Sequence, residues 1–547
     1  MRTLRAIWRG FRATVLFILL LPWRLWRARG RIALGVIAAC LLFGAYLYVN
    51  YWYRDSAETF FDDPVRQFKY GSTGGERLAG IPVGIFNALP TLCRDYLPRR
   101  PDGLPGEGWQ ALGFVYEPGM DRPVGTSKRR SLGFDRIGLN CATCHAGTWR
   151  EGPDATRKVV AGMPSHGMEL GAFKTFLTSC ALDEHFNPWE VIQAAERTGA
   201  RYGWFDRMLL QFVAVPAMKE AIILIRSRFR FIDNEIESGP GRFDTFGPEK
   251  ALMNWPFGRL PQRESVGIVD FPSLWLQGPR KDMHLHWDGN NTSVEERNRS
   301  AAFGSGAVPT TADRASLKFI ADWLRSPGNQ PPAYPFAIDR AIADRGKALY
   351  GEYCASCHGQ TGRDFTGAKV GQPEPIERIG TDPCRLDNYT AELAAEQGNL
   401  YAAYPAERFS HFRKTHGYAN LPLDGIWLRG PYLHNGSVPT VRDLLNRADE
   451  RPKMFYRGDD VIDRQKLGFL SDKPIAQGRV LFRYEAQCTG NPAVCEQEVN
   501  PANLHAANIC VPGKWAGNSN RGHEGPGYGT DLPAGDKDAI VEYLKTF

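Results

Sequence analysis

Residues 140–149 read NCATCHAGTW. Two cysteines three apart, with a histidine directly after the second, suit three chemistries: a zinc site, thiol exchange, or a haem carried on two thioether bonds. The pattern returns at 353–360 as YCASCHGQ, so Cys354, Cys357 and His358 repeat Cys141, Cys144 and His145. Cysteines at i and i+3 share one face of a helical turn, where both reach the vinyl groups along one porphyrin edge. The histidine beside the second thioether is then held under the iron as proximal ligand. Zinc is the structural alternative. His411 and His416 in HFRKTH offer half of a finger, but 53 residues separate them from Cys357 where a finger spaces its halves by about 12–15. Neither motif follows a strand in a thioredoxin-like pattern, so the sequence predicts two covalent c-type haems.

Outward from the motifs, the chain repeats itself. IADWLRS (320–326) matches IVEYLKT (540–546) class by class, and both carry apolar residues at helical spacing: Leu317, Ile320 and Leu324 against Ile540, Leu544 and Phe547. SLWLQGP (273–279) matches GIWLRGP (425–431), each followed by a Leu-His pair and a Gly-containing turn. His286 and His434 thus take equivalent places, to ligate iron, bond a propionate, or serve the turn alone. Cys141 to Trp275 spans 134 residues and Cys354 to Trp427 spans 73, so the first copy carries about 60 extra, assigned to the helical stretch that begins WEVIQAAERTG. Trp275 to Leu324 spans 49 and Trp427 to Leu544 spans 117, so the second copy carries its own insertion within 450–530. SPGNQPPAYP (326–335) reads as a linker.

The 547 residues, 43% hydrophobic and 12% aromatic, allow several globular domains. The net charge of +7 comes from the leader: residues 1–31 hold eight Arg and no acid, leaving 59 basic against 60 acidic residues. A near-neutral body argues against nucleic acid as a partner. Ile32 to Tyr53 is 22 residues without a charge, about 33 Å as a helix, enough for a bilayer core. All eight Arg precede it, which predicts a cytoplasmic N-terminus and an exported body; a cleaved signal peptide or a lipoprotein box at IAAC (37–40) are the alternatives. The run Ala13 to Trp23 is too short to span and is assigned to the interface. Export favours disulfides among Cys93, Cys180, Cys384, Cys488, Cys495 and Cys510, with pairing open.

The stretches YGSTGGERLAGIP, KRRSLGFDRIGLNCATCHAGT, FPSLW, LHWDGNN, GIWLRGPYLHNGSVPTVRDLL and GNSNRGHEGPGYGTDL, scattered over most of residues 70–547, resemble the bacterial di-haem cytochrome c peroxidases, and within them the rubber-oxygenase-like branch. The resemblance implies a mainly α fold, peroxide or dioxygen chemistry at the N-terminal haem, and electron transfer through the C-terminal haem. It also implies that Trp287 lies near the first haem and that His523 closes the second iron opposite His358. Met454 is the one downstream methionine that could do so in its place.

The expectation is therefore a mainly α protein with two cytochrome c-like haem domains carrying long irregular insertions. Residues 1–53 form leader and anchor, 54–330 an N-terminal haem domain with a helical insertion, and 331–547 a C-terminal haem domain. Cofactor contacts fall to Cys141, Cys144, His145, Cys354, Cys357, His358, His434 and His523, with His145, His358 and His523 on iron and His286 and Trp287 as catalytic candidates. The expected protein is a single-pass inner-membrane oxidoreductase with a periplasmic body, served by a redox partner or small donor and acting on peroxide, dioxygen or an unsaturated organic substrate. A non-catalytic di-haem electron carrier is the alternative.

Overall fold

The computed structural model describes residues 34–56, 60–228, 237–255, 260–261, 264–486 and 517–547. The leader arginines, the run Ala13 to Trp23, Cys488, Cys495 and Cys510 lie outside the described residues. The chain divides into two compact units, residues 1–59 with 129–136, and residues 60–128 with 137–547.

In the first unit, the apolar helix Leu34–Tyr53 is long and apolar enough to cross a membrane and has none of its apolar window buried in the protein. Its last turns are tied to residues 129–136: an Arg130 Nη donates to the Asn50 carbonyl at 3.3 Å, and Asp55 accepts from the Gly133 N–H.

The second unit mixes helix and sheet, which corrects the mainly α expectation. Among the described residues there are seven small sheets, six of them two-stranded. With 57 Gly and 38 Pro, the chain between the helices cannot sustain helical hydrogen bonding, so it satisfies its backbone in short ladders such as Met454–Arg457 on Phe482–Glu485.

Two structural copies are nevertheless visible. Each Cys-x-x-Cys-His motif closes a single helical turn, Ala142–His145 and Ala355–His358. Each copy then runs through a three-residue strand, Ile268–Asp270 or Gly417–Ala419, to a tryptophan. The terminal helices are Arg314–Arg325 and Ala534–Leu544, and Ile320, Leu324, Ile540 and Leu544 are buried as their spacing predicts. Ala534–Leu544 crosses Arg340–Tyr353 so closely that a Cβ on Gly346 would come within 1.9 Å of the Ala539 carbonyl oxygen, so only glycine fits there.

The copies share one core. Trp275 and Trp427 are fully buried in the same cluster, and Trp149 meets Trp427 edge to face at 5.1 Å between ring centres. Residues 326–335, read as a linker, turn at 326–329 and are docked: Pro332 accepts from Trp427 Nε1, Asn329 donates to the Leu274 carbonyl, and Tyr334 packs on the cluster.

The first-copy insertion is helical: Pro188–Arg197, then Trp204–Leu209 continuing through a π-turn at Leu210–Ala214 into Val215–Arg228. The wide turn precedes Pro216, whose ring would otherwise clash with the carbonyl four residues back and which has no N–H to give. Cys93 and Cys180 are joined by a disulfide that ties the helix Leu170–Leu182 to the loop after Val83–Leu92. Cys384 is disulfide-bonded as well.

Candidate haem centres

Asn140 starts the first motif, its Oδ1 accepting from the Ala142 N–H at 3.0 Å so that the following turn brings Cys141 and Cys144 to one side. Both thiols are free, and burial pushes them up to about 11 and about 12. Protonated thiols of this kind are poor exchange nucleophiles. Among the described residues no group of three or more His, Cys, Asp or Glu converges as a metal cage. His411, offered by the zinc reading, contacts Glu296 at 2.9 Å.

His145 Nδ1 lies 2.8 Å from the Pro272 carbonyl oxygen. A carbonyl only accepts, so Nδ1 carries the proton and the Nε2 lone pair is left for a metal. Burial holds the ring near pKa 4, neutral at physiological pH, with the charge of Arg297 acting in the same direction. The ring opens on a cavity of about 430 Å³, walled by Leu274, Leu285, Val294 and Ile320, with Arg280, His286 and Arg297 as polar lining. The cavity fits a c-type haem: thiols for thioethers, a pre-oriented imidazole, and buried guanidinium groups for the propionates.

The second motif repeats the device. His358 Nδ1 donates to the Leu421 carbonyl at 2.8 Å, and burial lowers its pKa. In both copies the accepting carbonyl, Pro272 or Leu421, comes two residues after a short strand. Leu421 also lines the first cavity, so one residue borders both centres.

Opposite His358 stands His523, with ring centres 6.2 Å apart and planes at 35°. Two imidazoles bonded to one metal at roughly 2 Å each place their ring centres roughly 6 Å apart. His523 is held by the Ile379 carbonyl, which accepts its N–H, and by Arg451, which donates to the His523, Gly522 and Asn520 carbonyls. Gly522 has φ +82°, and a Cβ there would meet the Thr381 nitrogen at 2.4 Å, so the sequence needs glycine beside this histidine. Burial pushes His523 down to about 3, and its Nδ1 is buried with no partner among the described residues. Two buried imidazoles at this distance, one with an unpartnered nitrogen, are a donor set that would suit haem iron. Met454 is 39% exposed on an edge of its two-stranded sheet, so the structure gives it no such opposing ring.

The Leu-His turns carry a register that the sequence matching places one residue off. His286 (φ +67°) and Leu433 (φ +65°) share the left-handed position, each three residues before a left-handed glycine, Gly289 and Gly436. The bridges Leu285 to Asn291 and Tyr432 to Val438 frame the same turn. Backbone geometry therefore pairs His286 with Leu433, and Trp287 with His434. Consistently, Trp287 Nε1 donates to the Asp270 carbonyl at 2.7 Å while the Asp270 N–H donates to the His434 carbonyl at 2.9 Å.

His286 lines the first cavity. Trp287 does not: its ring packs against Ile376, Leu386 and Tyr418. His434 is buried, stacked on Tyr418 at 4.1 Å with Nε2 3.0 Å from the phenol oxygen, beside Asp270 rather than against the His358 ring. Four residues that the sequence reading missed complete the first site. Arg385, fully buried, pairs with Asp288 through Nε and Nη2 at 3.2 and 3.1 Å and donates to His286 Nδ1 at 3.0 Å. Arg280 pairs with buried Asp424, and Arg297 lies near enough to depress both His145 and His286. Only Asp288 lies in a stretch that carries the family resemblance, LHWDGNN; the arginines follow no spacing.

Residues 417–456 match a protein family described as RoxA-like, cytochrome c-like. They contain the strand before Leu421, Trp427 and His434. Two uncharacterized proteins of Sinorhizobium fredii are similar in sequence. The protein y4iM is 31% identical over 314 residues, 51% of this chain and 64% of that protein, so the chain spans less than two thirds of its length. The protein y4iJ is 25% identical over 555 residues, 84% of this chain and 85% of that protein. Residues 417–456 are thus similar to a RoxA-like, cytochrome c-like family, and a cytochrome c-like domain implies haem iron.

Proposed function

We propose that the protein is a membrane-anchored di-haem c-type cytochrome and an oxidoreductase, acting on peroxide or dioxygen at the N-terminal haem and passing electrons through the C-terminal one. The observation that carries this reading is an asymmetry. His358 has an imidazole across from it, whereas His145 opens on a cavity of about 430 Å³. A haem held there by Cys141, Cys144 and His145 would supply redox-active iron for a small oxidant.

The residues around that cavity have definable roles. His286 Nδ1 is held between the Arg385 guanidinium at 3.0 Å and the Asp288 carboxylate at 3.3 Å, which fixes the ring in the cavity wall. Burial, then the charges of Arg385 and Arg297, lower His286 to about 3 and keep it neutral. His286 therefore enters the site as a neutral imidazole anchored through Nδ1. Arg297 adds a positive charge that favours anionic oxygen groups, and the aliphatic wall excludes water and accepts an unsaturated organic substrate.

The reading places the body in the periplasm, on an inner-membrane helix 34–53, with a redox partner or small donor supplying electrons to the His358–His523 centre. Turnover of the purified holoprotein with peroxide, and with dioxygen plus unsaturated hydrocarbons, tests it. A protein in which both irons are closed by two protein ligands, and which turns over neither oxidant, is an electron carrier instead.

A further inference from the structure

The helix Trp204–Arg228 is 25 residues long and as apolar as the helix Leu34–Tyr53, yet little of it is buried. One side is fixed to the body. Leu210 and Val215 are fully buried, and Lys219 Nζ donates to the Asp183 and Phe186 carbonyls at 3.3 and 3.0 Å, gripping the end of the helix Leu170–Leu182. The other side faces outward: Trp204 is 73% exposed, Phe212 74%, Val213 57% and Leu224 52%. Soluble surfaces rarely show such a run of large apolar side chains; a contiguous patch of this kind marks a contact.

What covers it follows from composition and from the tether. Residues 201–228 hold Arg201, Arg207, Lys219, Arg226 and Arg228 against Asp206 and Glu220, and the arginines are exposed. Basic residues flanking Trp, Phe and Leu are the pattern of a helix lying in the headgroup region of an anionic bilayer, with tryptophan at the boundary. Ten residues separate Tyr53 from Pro64, at most ~35 Å of extended chain, so a body tethered by Leu34–Tyr53 stays at the bilayer surface. The grip of Lys219 and the buried Leu210 and Val215 keep the helix along the body and prevent it from spanning.

We propose that the exposed side of Trp204–Arg228 is a second membrane contact, lying in the plane of an anionic phospholipid bilayer and fixing the orientation of the body on it. This rests on the reading of Leu34–Tyr53 as an anchor, so the test reports on the two separately. The full-length holoprotein is reconstituted into vesicles of phosphatidylethanolamine and phosphatidylglycerol. A nitroxide is placed at native Cys40 for the anchor, or at Phe212→Cys or Leu224→Cys in a Cys40→Ser background for the helix. Collision with dissolved oxygen and with a water-soluble nickel chelate is then measured. The proposal expects labels 212 and 224 to favour oxygen at one shared depth, about 5–10 Å below the headgroups. Labels differing in depth by about 18 Å, twelve residues at ~1.5 Å, would show a spanning helix and overturn it. So would labels that favour nickel, or labels shielded from both reagents, as under a second copy of the chain. An embedded Cys40 label with a wet 212 label sinks this proposal and leaves the anchor; the reverse sinks the anchor and leaves the contact.

Discussion

The rings of His358 and His523 face each other with centres 6.2 Å apart, although 165 positions separate them in the chain. Gly522 and the five carbonyl bonds of Arg451 hold the distal ring in place, whereas the imidazole that lines the His145 cavity, His286, is anchored through Nδ1 to Arg385 and Asp288. The two motifs share a proximal geometry and differ in what stands opposite. That difference is the basis of the functional reading.

Covalent attachment is expected at the four free, partly buried thiols of the two motifs. In Cys141→Ser/Cys144→Ser, haem that survives acid-acetone extraction should fall by about half, and the same should hold for Cys354→Ser/Cys357→Ser. A pyridine haemochrome assay checks this; unchanged covalent haem in either double variant would contradict it.

Arg385 neutralises Asp288, and both are 1% exposed. Arg385→Met leaves that carboxylate buried and unpaired, which costs about 3–5 kcal/mol. A urea midpoint shift of that order is expected. Arg385→Met/Asp288→Asn should recover part of it.

Acid should destabilise the protein through its buried histidines. Burial depresses His166 to about 4 and His286 to about 3, below their unfolded value near 6.5. Stability from each is therefore present above pH 6.5 and is lost as pH falls toward the folded value, by about 1.4 kcal/mol per pH unit per histidine. His166 stacks on Phe469 with both ring nitrogens unpartnered among the described residues, so His166→Leu removes one proton-uptake site and no hydrogen bond. Denaturant titrations between pH 6.5 and 4.5 should show a shallower slope in that variant.

The Cys93–Cys180 bridge closes a separation of 87 residues. Cys93→Ser/Cys180→Ser should lower stability by about 2–5 kcal/mol through the greater freedom of the unfolded chain. Calorimetry measures it, with the haem spectrum unchanged.

What the sequence disclosed was what chemistry or period constrains. Cys-x-x-Cys-His has its spacing set by a porphyrin edge, and Ile320, Leu324, Ile540 and Leu544 follow the 3.6-residue turn. Most of the described strands have two to four residues, such as Ile268–Asp270, too short to show an alternation, and the six-residue Thr126–Ser131 is a polar TSKRRS run without one, so the mixed fold was hidden. The register of the Leu-His turns is set by the sign of φ at His286 and Leu433, which matching of residue classes does not see. Arg385 reaches His286 across 99 positions, a contact made only by folding.

The most direct test of the account is low-temperature electron paramagnetic resonance of the ferric holoprotein beside His523→Ala, with carbon monoxide added to the reduced forms. The account predicts one low-spin and one high-spin iron in the wild type, with carbon monoxide bound at the first alone. His523→Ala should convert only the low-spin signal. Two low-spin irons and no carbon monoxide binding in the wild type, or a low-spin signal untouched by His523→Ala, would contradict it.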